Sequence, residues 1–377
     1  MMCPIASLGR ARTLIRFAAW MVFPSALFAQ SFSYMELPTS GSPNVAASGD
    51  VNFDGIPDIV VGGGMRYPTE MELFLGNGID GFEPATTVLS GLGLTSALEV
   101  VDINRDGFAD LIHVIATHSG SHGVHVYEGD GSGAFELLQT VGTPDGGNSL
   151  ALGDLNGDGF DDAVVADFSG YSVVYINREG TLSHGTAFPA DSGTNNTEFA
   201  DMNLDGELDL VSSNFFAVSS NVTVALNQGG GEFGPPRRFP VGLAPSWVAA
   251  GDLNEDGIPD AASAQPYLGD QRLVLQLGTG TGALRPGPIL SVGASPSRVF
   301  IVDVNQDGAN DLLAPMTSST GLAYFPGRFG RFPMKITLPT GLGPVWAEPY
   351  DWTGDGLLDL AVTNPHSNTV SLLIKQP

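Results

Sequence analysis

At 377 residues the chain is long enough for two or three domains or for one large all-β domain, and with 42% hydrophobic residues it can bury a sizeable core. Fifty glycines, 26 prolines and only 15 lysines and arginines suit many short strands and tight turns and argue against long charged helices. A formal net charge of −26 excludes nucleic acid and anionic membrane surfaces as partners, while the apolar content is too high for disorder.

The first element is a signal peptide over residues 1–29. Arg10, Arg12 and Arg16 supply its positive region, Phe17 to Ala29 its apolar stretch, and Ala29 the last residue before cleavage. The stretch is too short and too poorly flanked for a transmembrane span, with an uncleaved anchor as the alternative. No later segment is apolar enough to insert. Cys3, the one cysteine, lies inside this signal, so the mature chain has no disulfide and no thiol chemistry. Removing the three arginines leaves 12 basic against 41 acidic residues, a balance of −29. The expected location is secreted or periplasmic.

From residue 30 onward one pattern recurs: Asp-x-Asn-x-Asp-Gly-x-x-Asp followed by an apolar run. It starts at Asp50, Asp102, Asp154, Asp201, Asp252, Asp303 and Asp351, in steps of 52, 52, 47, 51, 51 and 48 residues. In each unit a short apolar strand, such as Val248 to Ala250, leads into the Asp loop. A second apolar strand leaves it, as at Ile59 to Val61. An alternating strand follows, such as Val124 to Tyr127 or Val222 to Leu226. A Gly-rich turn then leads to a last strand, often opened by an aromatic such as Phe135 or Phe233. Four strands per unit, seven times over, predict an all-β, seven-bladed β-propeller of four-stranded antiparallel blades spanning residues 30–377. A solenoid, the alternative, would need polar capping repeats at both ends. Phe32 to Leu37 reads as a fourth strand and Val370 to Ile374 as a third. The N-terminal strand is therefore expected to close the ring by pairing with the last blade.

These units resemble the FG-GAP/VCBS-type repeats of secreted proteins, which are related to the blades of the integrin α-subunit head. The resemblance covers about residues 31 to 377 and rests on the Asp loops; the Phe-Gly/Gly-Ala-Pro signature is poorly kept. It implies calcium in the hairpin between the first two strands of each blade, and extracellular recognition or adhesion.

The residues themselves argue for the same ion. Calcium takes six to eight oxygen ligands, and an acidic loop with a glycine bend supplies them. In the first loop Asp50, Asn52 and Asp54 offer side-chain oxygens, Gly55 makes the turn, Ile56 offers its carbonyl and Asp58 closes the site. The corresponding sets are Asp102, Asn104, Asp106, Phe108 and Asp110; Asp154, Asn156, Asp158, Phe160 and Asp162; and Asp201, Asn203, Asp205, Glu207 and Asp209. Next come Asp252, Asn254, Asp256, Ile258 and Asp260, then Asp303, Asn305, Asp307, Ala309 and Asp311. The last set departs with Asp351, Thr353, Asp355, Leu357 and Asp359, and Thr353 makes the seventh site the weakest. A plain Asp-Gly hairpin would not require aspartate at the first and ninth positions in all seven copies. Magnesium demands stricter octahedral geometry, and zinc is disfavoured by the all-oxygen set. Up to seven Ca²⁺ are expected, with dissociation constants on the order of 10⁻⁴ to 10⁻³ M.

A glycan or protein partner is expected on the face opposite these hairpins, with the chain acting as a monomer. The segments leading into the blades offer Asn44, Ser96, Asn148, Asn196, Trp247, Arg298 and Trp346. The loops between second and third strands offer Tyr67, Phe168, Tyr171, Phe215, Phe216 and Tyr267. Packing between blades is the first reading of Trp247 and Trp346, ligand contact the second. His113, His118, His122 and His125 cluster in the second unit; a polar loop is the plainer reading, a transition-metal site the other. Asn195-Asn196-Thr197 and Asn221-Val222-Thr223 fit the glycosylation sequon. No nucleophile elbow, phosphate loop or zinc-protease helix is present, which favours a non-enzymatic binding module. The rival is a polysaccharide lyase or hydrolase, for which Glu70, Glu72, Glu198 and Glu348 are available, though nothing in the sequence pairs them and no catalytic residue is assigned.

Overall fold

The computed structural model describes residues 32–64, 69–78, 81–116, 122–167, 169–191, 193–215, 220–266 and 271–377. The signal peptide, Tyr67, His118, Phe168, Phe216 and Tyr267 lie outside the described residues.

Among the described residues, 28 strands form seven four-stranded antiparallel sheets arranged as propeller blades, with no helix. Blade one shows the plan. Its inner strand Pro43–Gly49 is followed by a second strand Asp58–Gly63, a third Thr69–Phe74 and an outer strand Thr86–Leu92, each paired with the next. The remaining inner strands are Thr95–Val101, Gly147–Gly153, Thr194–Ala200, Trp247–Gly251, Phe300–Val302 and Trp346–Tyr350. Blade seven borrows its outer strand: Phe32–Pro38 pairs antiparallel with Thr369–Lys375, from Phe32 opposite Lys375 to Pro38 opposite Thr369. The expected ring closure is therefore present.

Burial follows position within the blade. Second strands such as Asp110–Ile115 and Asp162–Asp167 are buried along their whole length. They lie between two strands of their own sheet and between two neighbouring blades, which is why they read as unbroken apolar runs instead of alternating ones. Outer strands such as Thr86–Leu92 are largely exposed. The core is divided into seven slabs, each shared by two adjacent blades. Met202, Val211, Val222 and Val224 of blade four, for example, meet Val248 and Ala261 of blade five. The seam between blades seven and one is filled by Leu37, Ala361, Val370 and Leu372 against Ala46, Ile59, Val61 and Phe74.

The inner strands converge on the axis, where their residues form layers. Three residues before the first loop aspartate stand Ala47, Glu99, Ala151, Glu198, Ala249, Phe300 and Glu348. Two residues further back, blades five, six and seven contribute Trp247, Arg298 and Trp346.

Candidate functional site

Each Asp loop joins the inner strand of a blade to its second strand, so all seven lie on one rim. Their local geometry repeats. The first aspartate accepts the amide of the glycine at position six in every loop; Gly55 to Asp50 Oδ2 at 2.8 Å and Gly308 to Asp303 Oδ2 at 2.8 Å are examples. The fifth aspartate accepts the amide of the residue at position seven, as with Ile56 to Asp54 Oδ1 at 2.8 Å. The glycine at position six carries φ between 81° and 94° in all seven loops, the left-handed region that costs a side-chain-bearing residue about 1 kcal/mol or more. Position four takes the same hand without glycine in five loops: Phe53, Arg105, Leu204, Glu255 and Gln306.

That fourth residue reaches over the next blade. Phe53, 67% exposed, stands edge-on to Phe108 at 5.4 Å. Arg105 lies 4.9 Å over Phe160, Glu255 accepts the Phe329 amide at 2.7 Å, and Gln306 donates to the Gly356 carbonyl at 2.5 Å. Loops one and two, two and three, and six and seven are joined in this way, and loop five reaches the turn after the third strand of blade six.

The ninth aspartate has a role that sequence reasoning missed. Asp58 Oδ2 accepts the Val51 amide at 3.0 Å and Oδ1 the Gly76 amide at 2.8 Å. The same clamp recurs at Asp110, Asp162, Asp209, Asp260, Asp311 and Asp359, tying position two of the loop to the end of the third strand. All seven are buried. Burial pushes their carboxyls up to about 6, and to about 7 at Asp359, against the backbone amides that hold the ionised form. Aspartate at the ninth position is thus needed by the hairpin itself. At Asp58 each oxygen takes one amide and keeps a second lone pair, so the clamp and a ligand role are compatible there, whereas Asp311 Oδ2 already takes Val304, Asn305 and the Tyr324 hydroxyl.

The donor set fits a hard cation in its chemistry: carboxylates, an amide oxygen and a main-chain carbonyl, with no nitrogen or sulfur ligand. The loops' own amides already orient these oxygens. Among the described residues, however, no three acidic or histidine side chains converge closely enough to hold a metal between them. In loops one, two and four the asparagine Nδ2 lies between carboxylates, donating to the fifth aspartate at 2.7 to 3.0 Å. No lysine or arginine forms a salt bridge with a loop aspartate among the described residues, where the ion pair present is Arg238 with Asp191 at 2.8 Å. Arg105 stands inside the second loop, yet it too forms no salt bridge with a loop aspartate among the described residues.

The opposite rim uses its polar residues to join blades. Asn44 Nδ2 donates to the Thr95 carbonyl at 2.7 Å, Ser96 Oγ to Gly147 at 2.8 Å, Asn148 Nδ2 to Asn195 at 2.7 Å and Ser246 Oγ to Ser297 at 2.8 Å. Asn195 donates to the Ser246 carbonyl, and Arg298 donates to Val345 at 3.1 Å and to Asn44 at 3.4 Å. The chain of bonds passes from blade to blade around the axis. Asn196 is wholly buried and its Oδ1 accepts the Val248 amide at 2.8 Å. Both sequon asparagines spend their side-chain amides internally, Asn195 on Ser246 and Asn221 on Asp191.

Trp247 and Trp346 follow the packing reading. Trp247 is 6% exposed, the two rings meet edge-on at 6.0 Å, and the Arg298 guanidinium sits 4.7 Å from both. Trp346 touches three of the inter-blade slabs. Its Nε1 donates to Glu348 at 3.2 Å. Burial lowers Arg298 to about 9. Burial likewise raises Glu99 to about 7 and Glu198 and Glu348 to about 8, the latter two also through the charge of Glu99. Glu99 escaped the sequence reading, although its place three residues before a loop, shared with Glu198 and Glu348, was the available signal.

His113 and His125 are not on a polar loop. They are register partners on the second and third strands of blade two, with rings 6.0 Å apart. His113 is buried, bonds Thr95 at 3.0 Å and is lowered to about 3 by that burial; His125 bonds Thr140 at 3.1 Å. The pair is thus built into the second and third strands of blade two.

Taken together, the fold and the rim define a seven-bladed propeller with an Asp-loop hairpin at the same place in every blade. A family model described as FG-GAP-like repeat matches residues 50–113, 114–165 and 154–212, and the chain carries FG-GAP-like repeats. Integrin alpha-7 of Mus musculus is 43% identical over 110 residues, 25% of this chain and 9% of that protein. The Homo sapiens protein is 40% identical over 111 residues, again 25% of this chain and 9% of that one. The chain thus matches about a tenth of the length of these relatives. Among solved structures, BBS1N in complex with ARL6DN superposes with a TM-score of 0.63 at 10% identity, covering 90% of this chain and 94% of that one. The periplasmic gluconolactonase of Pseudomonas aeruginosa gives 0.60 at 16% identity, covering 83% and 93%. At such identities these structures share the fold alone.

Proposed function

We propose that this chain is a secreted or periplasmic recognition and adhesion module whose seven loops hold calcium and whose partner is a glycan or a protein. The observation that carries the reading is the sevenfold recurrence, on one rim, of a loop of oxygen donors whose aspartates have no salt bridge among the described residues. Positions one, three, five and nine would supply side-chain oxygens and position seven a carbonyl, with water completing the shell. Bound calcium supplies positive charge that neutralises the rim. The likeness to integrin alpha-7 supports a recognition role over a catalytic one.

The test uses the protein freed of residues 1–29, on a polysaccharide panel with and without calcium, with the supernatant assayed for released fragments. Calcium-dependent retention without fragments is the expected result. Released fragments would replace the reading with the lyase or hydrolase alternative, and absence of both would direct the search to protein partners. Chelation is expected to lower the melting temperature, because an ion bound only by the folded state stabilises it. An unchanged melt would remove calcium from the account.

A further inference from the structure

We propose that the groove between loop three and blade four is a binding site for one ring of a neutral glycan. The groove is about 680 Å³ and lies on the same rim as the Asp loops. That volume falls within the roughly 300–1,000 Å³ of small-ligand clefts. Loop three lends it Asn156, Asp158 and Phe160, and the end of the third strand of blade three lends Ile176 and Arg178. Glu179 and Gly230, on the turns of blades three and four, complete the lining.

Three features keep this space open. Position four of loop three is Gly157, where loops one, two, four, five and six carry Phe53, Arg105, Leu204, Glu255 and Gln306 in the same left-handed conformation. The backbone therefore does not require glycine there, and a Cβ on Gly157 would meet nothing within 4 Å beyond its chain neighbours. Loops one and two use position four to reach the next loop, whereas loop three leaves that space empty. Secondly, the third and outer strands of blade three join through Glu179 and Gly180 alone, with Arg178 opposite Thr181. In blades two and five the same turn is longer, from Gly129 to Phe135 and from Gly278 to Leu284. Finally, blade four meets the groove with Gly230, at φ 70° and again with nothing within 4 Å of a Cβ. A glycine so placed lets a ligand approach the main chain.

The lining has the two parts that a sugar ring needs. Phe160 and Ile176 offer apolar surface to its C–H face, and Asn156, Asp158, Arg178 and Glu179 offer hydrogen bonds to its hydroxyls. Arg105 covers one side of the Phe160 ring at 4.9 Å and steadies it. In loops one, two and four the third-position asparagine donates to Oδ2 of the fifth aspartate. Asn156 instead turns its Nδ2 to Asp162, at 3.3 and 3.5 Å. Asp158 Oδ2 is left without a hydrogen bond among the described residues, while Oδ1 is fixed by the Phe160 amide at 2.9 Å. Its two lone pairs allow one contact to a loop cation and another to a hydroxyl. Arg178 and Glu179 are exposed and form no salt bridge among the described residues. Other ligand classes are disfavoured. Counting one Ca²⁺ in loop three, the carboxylates of Asp154, Asp158, Asp162 and Glu179 still outweigh the ion and Arg178, which repels an acidic sugar or a phosphate. The third strand of blade three is paired on both sides, so it opens no edge to a peptide strand.

The inference rests on the recognition reading and deepens it by naming a ligand class and a place. The protein lacking residues 1–29 is titrated in calcium with methyl β-glucoside, methyl β-galactoside and methyl α-mannoside, followed by saturation-transfer NMR. Saturable binding of at least one glycoside is expected, weakened by about tenfold or more in Gly157→Leu, which fills the groove. That substitution supplies the side chain that Leu204 carries at the same position of loop four with φ 62°, and it removes no oxygen ligand from loop three. Arg178→Ala should weaken binding by about three- to tenfold. Its exposed side chain holds nothing in the fold, so it keeps the test interpretable if Gly157→Leu disturbs the loop. Tighter binding of methyl β-glucuronide than of every neutral glycoside would overturn the choice of a neutral ring. Absence of saturable binding, or binding that both variants leave unchanged, overturns the site while calcium-dependent retention on the polysaccharide panel stands. Glycoside binding that both variants weaken, with nothing retained on the panel, overturns the adhesion reading alone.

Discussion

The Arg298 cage allows a quantitative test of whether the axial aromatics hold blades together or wait for a ligand. Arg298 sits 4.7 Å from the rings of both Trp247 and Trp346, and it donates to the Val345 and Asn44 carbonyls. A cation–π contact removed from water contributes about 2 kcal/mol. Trp346, partly buried, also fills space against three slabs, and truncating a tryptophan packed in this way costs about 3–5 kcal/mol. Trp346→Ala should therefore destabilise the chain by about 5–7 kcal/mol. Arg298→Met removes the same contact but also relieves a charge that burial disfavours, so its cost should be smaller. The decisive quantity is the coupling in the double-mutant cycle, measured by denaturant unfolding in calcium. About 1–2 kcal/mol of interaction is expected. Coupling below about 0.5 kcal/mol would mean additive, independent sites and would refute the cage. Single variants that keep full stability but lose partner retention would restore the ligand reading of both tryptophans.

Glu99, Glu198 and Glu348 are raised to about 7, 8 and 8, above the unfolded carboxyl value of roughly 4.3. Their contribution to stability is full below that unfolded value and is lost as pH rises through 7 to 8. Calcium-saturated protein should lose up to about 1.4 kcal/mol per pH unit for each group titrating over this window. Glu99→Gln should flatten the profile in chemical unfolding, and an unaltered slope would remove the axial acids from it. On the proposal that the loops hold calcium, Thr353→Asn should tighten the seventh site by several-fold, read as the last transition in a calcium titration; an unchanged last transition would separate affinity from the third ligand position. Deleting residues 30–38 strips blade seven of its outer strand and removes the buried Phe32 and Leu37, together about 3–6 kcal/mol of burial. The expected product is an open, protease-sensitive ring, and a truncated chain with an unchanged melting temperature would show that closure does not depend on this strand.

Much of the fold was legible because the repeat is written in residue types that local physics constrains. Aspartate at positions one, five and nine and glycine at position six set the hairpin. The apolar runs after each loop mark the doubly covered second strands. The orphan strand Phe32–Pro38 could be assigned to blade seven because that blade lacked a fourth strand. What remained hidden depends on neighbours that sequence spacing does not reveal. Asn44, Ser96 and Asn148 look like free polar groups until the next blade's carbonyl is placed beside them. Phe53 and Leu204 occupy left-handed positions that composition gives no reason to expect. Glu99 is one acid among many until the ring brings it toward Glu198 and Glu348. Glu70 and Glu72 share a partner only when Ser40, some thirty residues earlier, folds over them.

The ninth aspartate links the rim to the core, and this bears on how any cation held by the loops would act. Its two oxygens grip the amide of position two and the end of the third strand, while the side chains at position two, Val51, Ile103, Leu155, Met202, Leu253, Val304 and Trp352, are buried in or beside the inter-blade slabs. Without positive charge, the carboxylate bears both the cost of burial and repulsion from the other loop aspartates. A cation at the loop would lower that cost at the residue that fastens position two. Its stabilising effect would therefore extend from the hairpin into the contact between blades. The lacing of Phe53 over Phe108, Arg105 over Phe160 and Gln306 to Gly356 extends the same coupling sideways. Loops joined in this way should not fill as seven independent sites. Adjacent sites should bind with positive cooperativity, strongest where a large side chain bridges two loops, and weakest after Gly157 and Gly354, where position four has no side chain to reach across.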